Sequence, residues 1–313
     1  MNRLTREFLH LIGETIAKVE KIERARWKPS FNNYLEVLID DLQYLCGHIP
    51  APHELTLEER DKIAAENYKK HLESKEPPLD VKRDYPKYFN WLDVDGQNYI
   101  TPVKNQVFCA ACSAFGSVAA VESAVRISKD ISALSPEDNA VPLLSEAQVF
   151  FSSAGDHNCK TGWTLEKALD YCQQIGVIPA EYYPYYPNEQ RPELPPNWHD
   201  MVTQISGYEK VTSHAEMKNA LTTKGPLVTI MTVYLDFCLY GTGIYSYVIG
   251  PKIGAHCICC IGFDDEKQAW LCKNSWGTHW GEQGFFWIGY GECGIDAEMW
   301  SINGLTKIYT SRT

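Results

Sequence analysis

The sequence predicts an α+β fold with two subdomains, in which helices come first and strands second. Apolar residues recur at helical spacing in the first 75 residues, and the later stretches LLSEAQVFFSS and GWTLEKALDYCQQIG continue that pattern. In the second half, PLVTIMTVYLDF, HCICCIGFDDEKQAWLCKNSW and GFFWIGYG are β-branched and aromatic, which is typical of strands. Helices and strands that separate along the chain indicate an α+β architecture.

The N-terminal segment contains three candidate helices. Apolar positions at helical spacing predict the first two, over residues 4–22 and 35–45, and Gly47 is placed to cap the second. Thr56 and the glutamates that follow it fit a capping box, which predicts a third helix reaching Leu72. The charged stretch SKEPPLDVKRDYP, with three prolines, then interrupts the pattern and indicates a linker.

Composition limits the possible partners. The chain has 313 residues, of which 44% are apolar and 22% charged, as in a globular protein with a sizeable core. A net charge of −11 argues against binding to nucleic acid or to an anionic membrane surface. No apolar run approaches the roughly 20 residues that span a bilayer, and the N-terminus lacks the features of a secretory signal. The compartment is unknown from sequence, and we expect a cytoplasmic protein or export by a non-classical route.

Two of the eleven cysteines, Cys109 and Cys112, form a C-x-x-C motif ahead of an apolar, helix-like run. A thioredoxin-like redox pair is disfavoured, because the compact βαβ context of that fold is absent. A zinc site needs a second ligand pair, and the other cluster, Cys257-x-Cys259-Cys260, alternates within an apolar run as core residues of a strand would. The third interpretation is a bridged cysteine beside a reactive one.

A reactive Cys112 needs a base and an orienting group elsewhere in the chain. His256 stands at the start of a predicted strand, and the amide of Asn274 could hold its imidazole in one tautomer. Trp276 could shield that hydrogen bond from water. The amide of Gln106 and the backbone N–H of Cys112 could together form an oxyanion hole.

With these residues in place, the chain resembles the papain-like cysteine proteases. The motifs TPVKNQxxCxxCxAF, LSEAQ, an Ala-His pair before an apolar strand, and KNSWGTxWGExGFF occur in the family's order between about Asp84 and Trp300. Within the family, the sequence most resembles the bacterial-type members. The resemblance implies a two-lobed fold, with a helical left lobe at about 97–200 and a β-barrel-like right lobe at about 201–300.

The resemblance also implies a role for each candidate residue. Cys112 would be the nucleophile, held as a thiolate by protonated His256 and by the helix N-terminus, while Asn274 orients the ring and Gln106 stabilises the oxyanion. Cys109 would be bridged to Cys159. No cofactor and no metal is implied.

Substrate-binding positions follow from the same resemblance. Gly162 would let the substrate backbone approach closely, and Glu298, five residues after Cys293, would lie at the floor of the S2 pocket. The walls of that pocket would come from apolar side chains: Trp163, Ile230 and Ala255. A carboxylate among apolar walls predicts that arginine is accepted at P2.

The chain departs from the family pattern near the oxyanion hole. Val107 replaces a glycine, Ala110 and Ala111 replace the usual pair between the cysteines, and Ser113 replaces a tryptophan. None of these changes removes a catalytic group.

The resulting prediction is a helical pro-segment-like region, residues 1–83, ahead of a catalytic domain, residues 84–313. The segment would cover the cleft of a cysteine endopeptidase made as a zymogen. The partners implied are a peptide or protein substrate and the chain's own segment, and we expect a monomer. An acyltransferase or cyclase that uses the same thioester, and a non-catalytic papain-fold binding protein, stay open as alternatives.

Overall fold

Helix α4, Cys112–Lys129, is buried on every side over most of its length. All residues from Cys112 to Arg126 are buried, and most of them are small, so neighbouring elements pack closely around the helix. Strand β7, Lys252–Asp264, lies against it, together with the helices described below. The helix ends at Asp130, whose left-handed φ of 54° closes its last turn.

The computed structural model describes residues 3–22, 25–30, 39–74, 85–133, 141–153, 157–187 and 191–310, with side chains from residues 10 and 41 onward in the first and third ranges. Most of the predicted linker, and with it the boundary between residues 83 and 84, lies outside these ranges. No helix in the described part of the chain is both long and apolar enough to cross a membrane.

In its described residues, the N-terminal segment has three helices and a strand. Their bounds are α1 Arg3–Lys21, β1 Trp27–Pro29, α2 Ile39–Leu42 and α3 Leu57–Glu73. A 3-10 turn, Gln43–Leu45, extends α2. The predicted capping box of α3 is confirmed, because the Glu59 N–H donates to Thr56 Oγ1 and the Thr56 N–H donates to Glu59 Oε2.

One expectation for this segment is wrong. Gly47 does not cap a helix: the 3-10 turn ends at Leu45, the extended Cys46 is its C-cap, and Gly47 lies beyond it. The segment also contains a strand that the sequence did not indicate, because β1 pairs antiparallel with β6, Tyr240–Tyr245. The segment is therefore joined to the main sheet through backbone hydrogen bonds.

The two helices predicted from LLSEAQVFFSS and GWTLEKALDYCQQIG are present as α5 Glu146–Phe151 and α6 Leu165–Gln174. Two further helices, α7 His214–Thr223 and α8 Leu235–Cys238, were not predicted, and α8 contradicts the strand expected through the end of PLVTIMTVYLDF. The first two pack on α4. Ser145 and Thr164 cap them by accepting the N–H of the residue three positions on.

The strands form one large sheet and one short pair. Besides β1, β6 and β7, their bounds are β2 Tyr88–Asn90, β3 Gln204–Ile205, β4 Tyr208–Val211, β5 Leu227–Tyr234, β8 Ala269–Lys273, β9 Phe285–Gly289, β10 Met299–Ile302 and β11 Leu305–Lys307. The order in the large sheet is β1-β6-β9-β8-β7-β5-β10-β4, with β2 also paired to β7, and β11 pairs with β3. The predicted α+β class is confirmed.

Strand β7 positions the site because it crosses the middle of this sheet and also touches α4. Its first half pairs with β5, where Met231 lies opposite His256, and its second half pairs with β8, where Cys259 lies opposite Lys273. The end of β8 and the start of β7 therefore lie beside the N-terminus of α4.

Candidate active site

Cys112 is the first residue of α4 and is fully buried. The first N–H groups of a helix lack partners inside it and form the positive end of its dipole, so they stabilise a thiolate placed there. The loop before the helix is held in place, because Ala110 N–H donates to Cys159 O at 2.9 Å and Cys109 forms a disulfide with Cys159. The bridge expected between these two cysteines is thus present, and the other nine form no disulfide.

His256 and Asn274 meet where β7 and β8 run side by side. Asn274 follows the last residue of β8, and its Oδ1 lies 2.8 Å from His256 Nε2. A carbonyl oxygen can only accept, so it selects the tautomer in which Nε2 carries the hydrogen and leaves Nδ1 to exchange a proton with Cys112. The Trp276 ring, 1% exposed, lies 4.9 Å from the imidazole and shields this hydrogen bond from water.

The surroundings of Cys112 favour its ionised form. Burial alone would raise the pKa of the thiol, but hydrogen bonds from Cys257 and His256, together with the charge of the imidazolium, lower it well below its usual value. The pKa of Cys257 moves the other way, because burial and the neighbouring Cys112 sulfur both raise it. Both directions favour Cys112 over Cys257 as the ionised thiol of the pair.

Gln106 lies beside the nucleophile with its amide fixed from both sides. Its Oε1 accepts from Ser275 Oγ at 2.6 Å, which directs Nε2 into the cleft. Nε2 donates to Cys109 O at 2.9 Å and to Leu45 O at 3.2 Å. A fixed N–H donor beside the helix N-terminus is suited to an oxyanion hole.

The arrangement of cysteine, histidine, asparagine and glutamine can be compared with known proteins. The sequence model of the family described as "Papain family cysteine protease" matches residues 85–302. The chain belongs to this family. As its members do, the papain-like domain forms an acyl-enzyme on a cysteine during cleavage of a peptide bond.

Curated relatives of the papain-like domain come from animals, plants and protists. The chain is 29% identical to pro-cathepsin H of Bos taurus over 225 residues, which are 68% of this chain and 63% of that protein. It is 30% identical to zingipain-2 of Zingiber officinale, over 64% of this chain and 86% of the relative. It is also 30% identical to cathepsin B-like CP3 of Giardia intestinalis, over 71% of this chain and 72% of the relative.

Solved structures extend the likeness of fold to the N-terminal segment. The procathepsin B S9 structure from Trypanosoma congolense superposes with a TM-score of 0.71 at 17% identity, covering 94% of this chain and 98% of that one. The digestive procathepsin L2 structure from Tenebrio molitor has a TM-score of 0.71 at 23% identity, covering 96% and 91%.

Two departures from the family pattern have a local structural effect. Val107, in place of a glycine, has a φ of 52°, a left-handed conformation that a β-branched residue adopts only under strain. The Asn105 carboxamide accepts the Val107 N–H at 2.9 Å and holds this turn. Ser113, in place of a tryptophan, is buried, and its hydroxyl has no hydrogen-bond partner among the residues that the structure describes.

The cleft of the papain-like domain contains the chain's own N-terminal segment. The Gly47 N–H points at Cys112 Sγ at 3.2 Å, and Leu45 O accepts from both Gln106 Nε2 and Trp276 Nε1. Glycine is needed here, since a Cβ on Gly47 would lie 2.0 Å from Ala110 O. The segment therefore contacts both Cys112 and Gln106, the predicted nucleophile and oxyanion donor.

Residues after Gly47 continue through the cleft as an extended stretch. Gly47 O accepts from Trp163 N–H at 2.8 Å, Ile49 N–H donates to Trp163 O at 3.2 Å, and His48 N–H donates to Ala255 O at 3.2 Å. Gly162, with φ of 74°, lies so close that a Cβ on it would be 2.1 Å from Gly47 O. Three of the predicted substrate-binding positions, 162, 163 and 255, thus contact a peptide backbone in this structure.

The predicted pocket floor contacts an arginine of the same segment. Arg60 of α3 is 1% exposed, and its Nη1 lies 3.0 Å from Glu298 Oε1. Its Nη2 donates to Ile230 O at 3.1 Å and to Glu298 O at 3.2 Å. The guanidinium carbon lies 5.8 Å from the centre of the Trp300 ring. Glu298 and Ile230 therefore form a site that holds a buried guanidinium.

The sequence did not indicate four residues that matter at this site. Arg60 and Lys210, whose Nζ lies 3.1 Å from Glu298 Oε2, belong to elements far from Glu298 in sequence. Cys257 was predicted only as a core thiol, and Gly47 only as a cap. Of the four, Gly47 alone carried a usable signal, because a glycine that ends no helix indicates a close backbone approach.

Proposed function

We propose that the chain is the inhibited precursor of a cysteine endopeptidase whose released papain-like domain accepts arginine or an apolar side chain at P2. The observation that carries the proposal is the contact between the Gly47 N–H and the sulfur of Cys112. A complete set of catalytic groups is present, and the chain's own backbone fills the place where a substrate would react.

The chemistry follows from the positions of the groups. The Cys112 thiolate attacks the carbonyl carbon of the scissile bond, and the new oxyanion accepts hydrogen bonds from Gln106 Nε2 and the Cys112 N–H. The protonated His256 gives its Nδ1 proton to the leaving amine as the C–N bond breaks, which leaves a thioester on Cys112. Water, deprotonated by His256, then attacks the thioester and releases the carboxylic acid, which restores the Cys112 thiolate beside a protonated His256.

The segment can lie in this site without being cut there. The group that it presents to Cys112 Sγ is an N–H donor, whereas attack requires an electrophilic carbonyl carbon. The nearby carbonyl of Leu45 is held by Gln106 and Trp276. An occupied oxyanion donor and a capped thiolate together explain inhibition.

The P2 preference rests on Arg60. Its guanidinium pairs with Glu298 in a buried position and is held further by main-chain carbonyls, as an arginine side chain of a substrate would be. An apolar side chain would contact the apolar wall residues instead. The acidic net charge gives no attraction to nucleic acid, and we propose that the enzyme acts as a monomer on peptide or protein substrates.

The test compares the full chain with a chain that begins at Asp84, with Cys112→Ala in each as the inactive control. We expect the shorter chain to be the more active toward a P2-Arg peptide. Equal activity of the two at matched folding would contradict an inhibitory segment.

Mass spectrometry of the products separates hydrolysis from transfer, because hydrolysis gives a free acid and an acyltransferase or cyclase gives a new amide. Labelling with an epoxide inhibitor should modify Cys112 first. Earlier modification of Cys257, Cys259 or Cys260 would contradict the assigned nucleophile.

A further inference from the structure

Glu298 interacts with two cations of different origin. Its Oε1 pairs with Arg60 of the N-terminal segment at 3.0 Å, and its Oε2 pairs with Lys210 of β4 at 3.1 Å. Both cations also lie over the same indole, since Lys210 Nζ is 5.0 Å and the Arg60 guanidinium carbon 5.8 Å from the centre of the Trp300 ring. Lys210 belongs to the papain-like domain, so it stays beside Glu298 when the segment leaves.

Lys210 has a second carboxylate within reach. Its Nζ lies 3.5 Å from Glu166 Oε1, and Glu166 Oε2 lies 2.8 Å from His53 Nε2. His53 belongs to the N-terminal segment, so Glu166 loses that partner on release. The Lys210 side chain is 36% exposed, which leaves it free to move between the two carboxylates.

We propose that Lys210 is a specificity-determining residue of the P2 pocket: it is the cation that Glu298 retains when P2 is apolar, and it shares Glu298 with the guanidinium when P2 is arginine, as it does with Arg60 in the precursor. The inference rests on the proposed function. It adds a mechanism by which one pocket accepts two kinds of side chain.

The reason is the cost of a buried charge. With an apolar P2 side chain in the pocket, Glu298 is cut off from water, and without a cation it would be an unpaired buried carboxylate. Lys210 supplies that cation. When arginine binds, it takes the Oε1 position that Arg60 holds in the precursor, and Lys210 keeps Oε2 with Glu166 nearby. The charge of Lys210 then repels the guanidinium and Glu166 offsets that charge, so Lys210 assists an apolar P2 side chain and not an arginine.

The kinetic test uses the enzyme that the full chain produces by self-processing, with active sites counted by an epoxide inhibitor. Lys210→Met should lower kcat/KM for a P2-Phe peptide about tenfold, the equivalent of about 1.4 kcal/mol for a carboxylate left unpaired, and should not lower it for a P2-Arg peptide. Glu166→Gln should act in the opposite sense, lowering kcat/KM for P2-Arg about threefold. The matched control is Lys224→Met, because Lys224 is a similarly exposed lysine of the same domain paired with Glu209 outside the cleft.

A second measurement uses the intact precursor, with Arg60 itself as the arginine probe. In a full chain kept whole by Cys112→Ala, Arg60→Met should lower Tm by about 2 °C more when Lys210 is methionine than when it is lysine. The larger loss is expected because Arg60 is then the sole cation on Glu298 among the described residues. This experiment does not depend on processing or activity.

The outcomes distinguish the two proposals. If Glu298→Ala leaves the ratio of P2-Arg to P2-Phe activity unchanged, the proposed P2 preference fails. If Glu298→Ala changes that ratio but Lys210→Met changes both substrates alike and leaves the cost of Arg60→Met unaltered, the inference on Lys210 alone is overturned. The inference on Lys210 is also overturned if Lys210→Met changes the ratio of P2-Arg to P2-Phe activity as much in a chain that carries Glu298→Ala, because the lysine would then act through some other group.

Discussion

The two ends of the cleft are blocked by different means. At Cys112, the contact made by the described part of the segment is through backbone: the Gly47 N–H points at the sulfur, and a close approach to Ala110 leaves no room for a side chain at Gly47. At the P2 pocket it presents one long side chain, Arg60, whose guanidinium makes charged and neutral hydrogen bonds. One end is closed by shape and the other by charge.

This difference predicts how each end fails. A contact that depends on shape is lost when an atom is added to the segment. A contact that depends on charge is lost when one charged group is removed, and its partner is then left as a buried, unpaired charge. The two ends should therefore respond to different substitutions, and the charged end should respond more strongly.

Arg60→Met should release the segment most. Removal of one partner from a buried ion pair costs about 3–5 kcal/mol, and Lys210, which also pairs with Glu298, reduces the loss to about 3 kcal/mol. In the full chain, the rate at which an epoxide inhibitor modifies Cys112 should rise about a hundredfold. Lys69→Met is the control, because Lys69 lies on the same helix in a solvent-exposed pair with Glu73, and its substitution should leave the rate within twofold.

Gly47→Ala should release the segment less. The added Cβ would lie 2.0 Å from Ala110 O, so the backbone must shift at a cost of about 1–3 kcal/mol, and alkylation of Cys112 should quicken about tenfold. Gly13→Ala, in α1, adds a Cβ with nothing within 4 Å and should leave the rate unchanged. A Gly47→Ala chain that reacts no faster than its Gly13→Ala counterpart would show that shape does not close this end.

The same contrast explains what the sequence could predict. Cys112, His256, Asn274 and Gln106 stand in contiguous motifs whose chemistry requires those residue types, so they could be nominated as catalytic candidates from the sequence alone. Arg60 pairs with a residue 238 positions away, and an arginine on a surface helix is as compatible with solvent as with a pocket.

One local rule gave a wrong answer in this segment, and one strand carried no local signal. A glycine after an apolar run is a normal helix end, but at Gly47 the tertiary contact with Ala110 decides the residue. The strand Trp27–Pro29 has three residues and includes a proline, so no alternation indicated it, and its pairing with β6 comes from the fold.

In the loop that precedes Cys112, the substitution Val107→Gly should raise the free energy of unfolding by about 1 kcal/mol. A φ of 52° strains a β-branched residue and suits glycine, and this gain exceeds the added freedom of glycine in the unfolded state. Urea unfolding of the full chain carrying Cys112→Ala measures the change. Val107→Ala keeps the unfavourable φ and should raise the free energy of unfolding by less. An equal increase would show that the effect comes from removal of the valine side chain and not from φ.

The smallest effect is expected at the turn between Gly47 and Arg60, where the stability of the docked segment should depend on pH. Glu54 accepts the Ala51 N–H at 2.8 Å and pairs with His48 at 3.3 Å. Burial alone would raise the pKa of Glu54, but these hydrogen bonds and the charges of His48 and His53 lower it below its ordinary value. A lowered pKa means that Glu54 stabilises the docked segment at neutral pH and that this contribution is lost as pH falls through the folded pKa.

Asp61 of α3 gives the opposite sign in the same segment. Burial raises its pKa, which outweighs its hydrogen bond from Thr232, so ionisation of Asp61 destabilises the docked state as pH rises through the folded pKa. Relative to the parent Cys112→Ala chain, Glu54→Gln should lower Tm at pH 7 and Asp61→Asn should raise it, and both differences should shrink below pH 4. Differences that do not change with pH would assign both effects to packing, and the charge at this turn would then have no part in holding the two ends together.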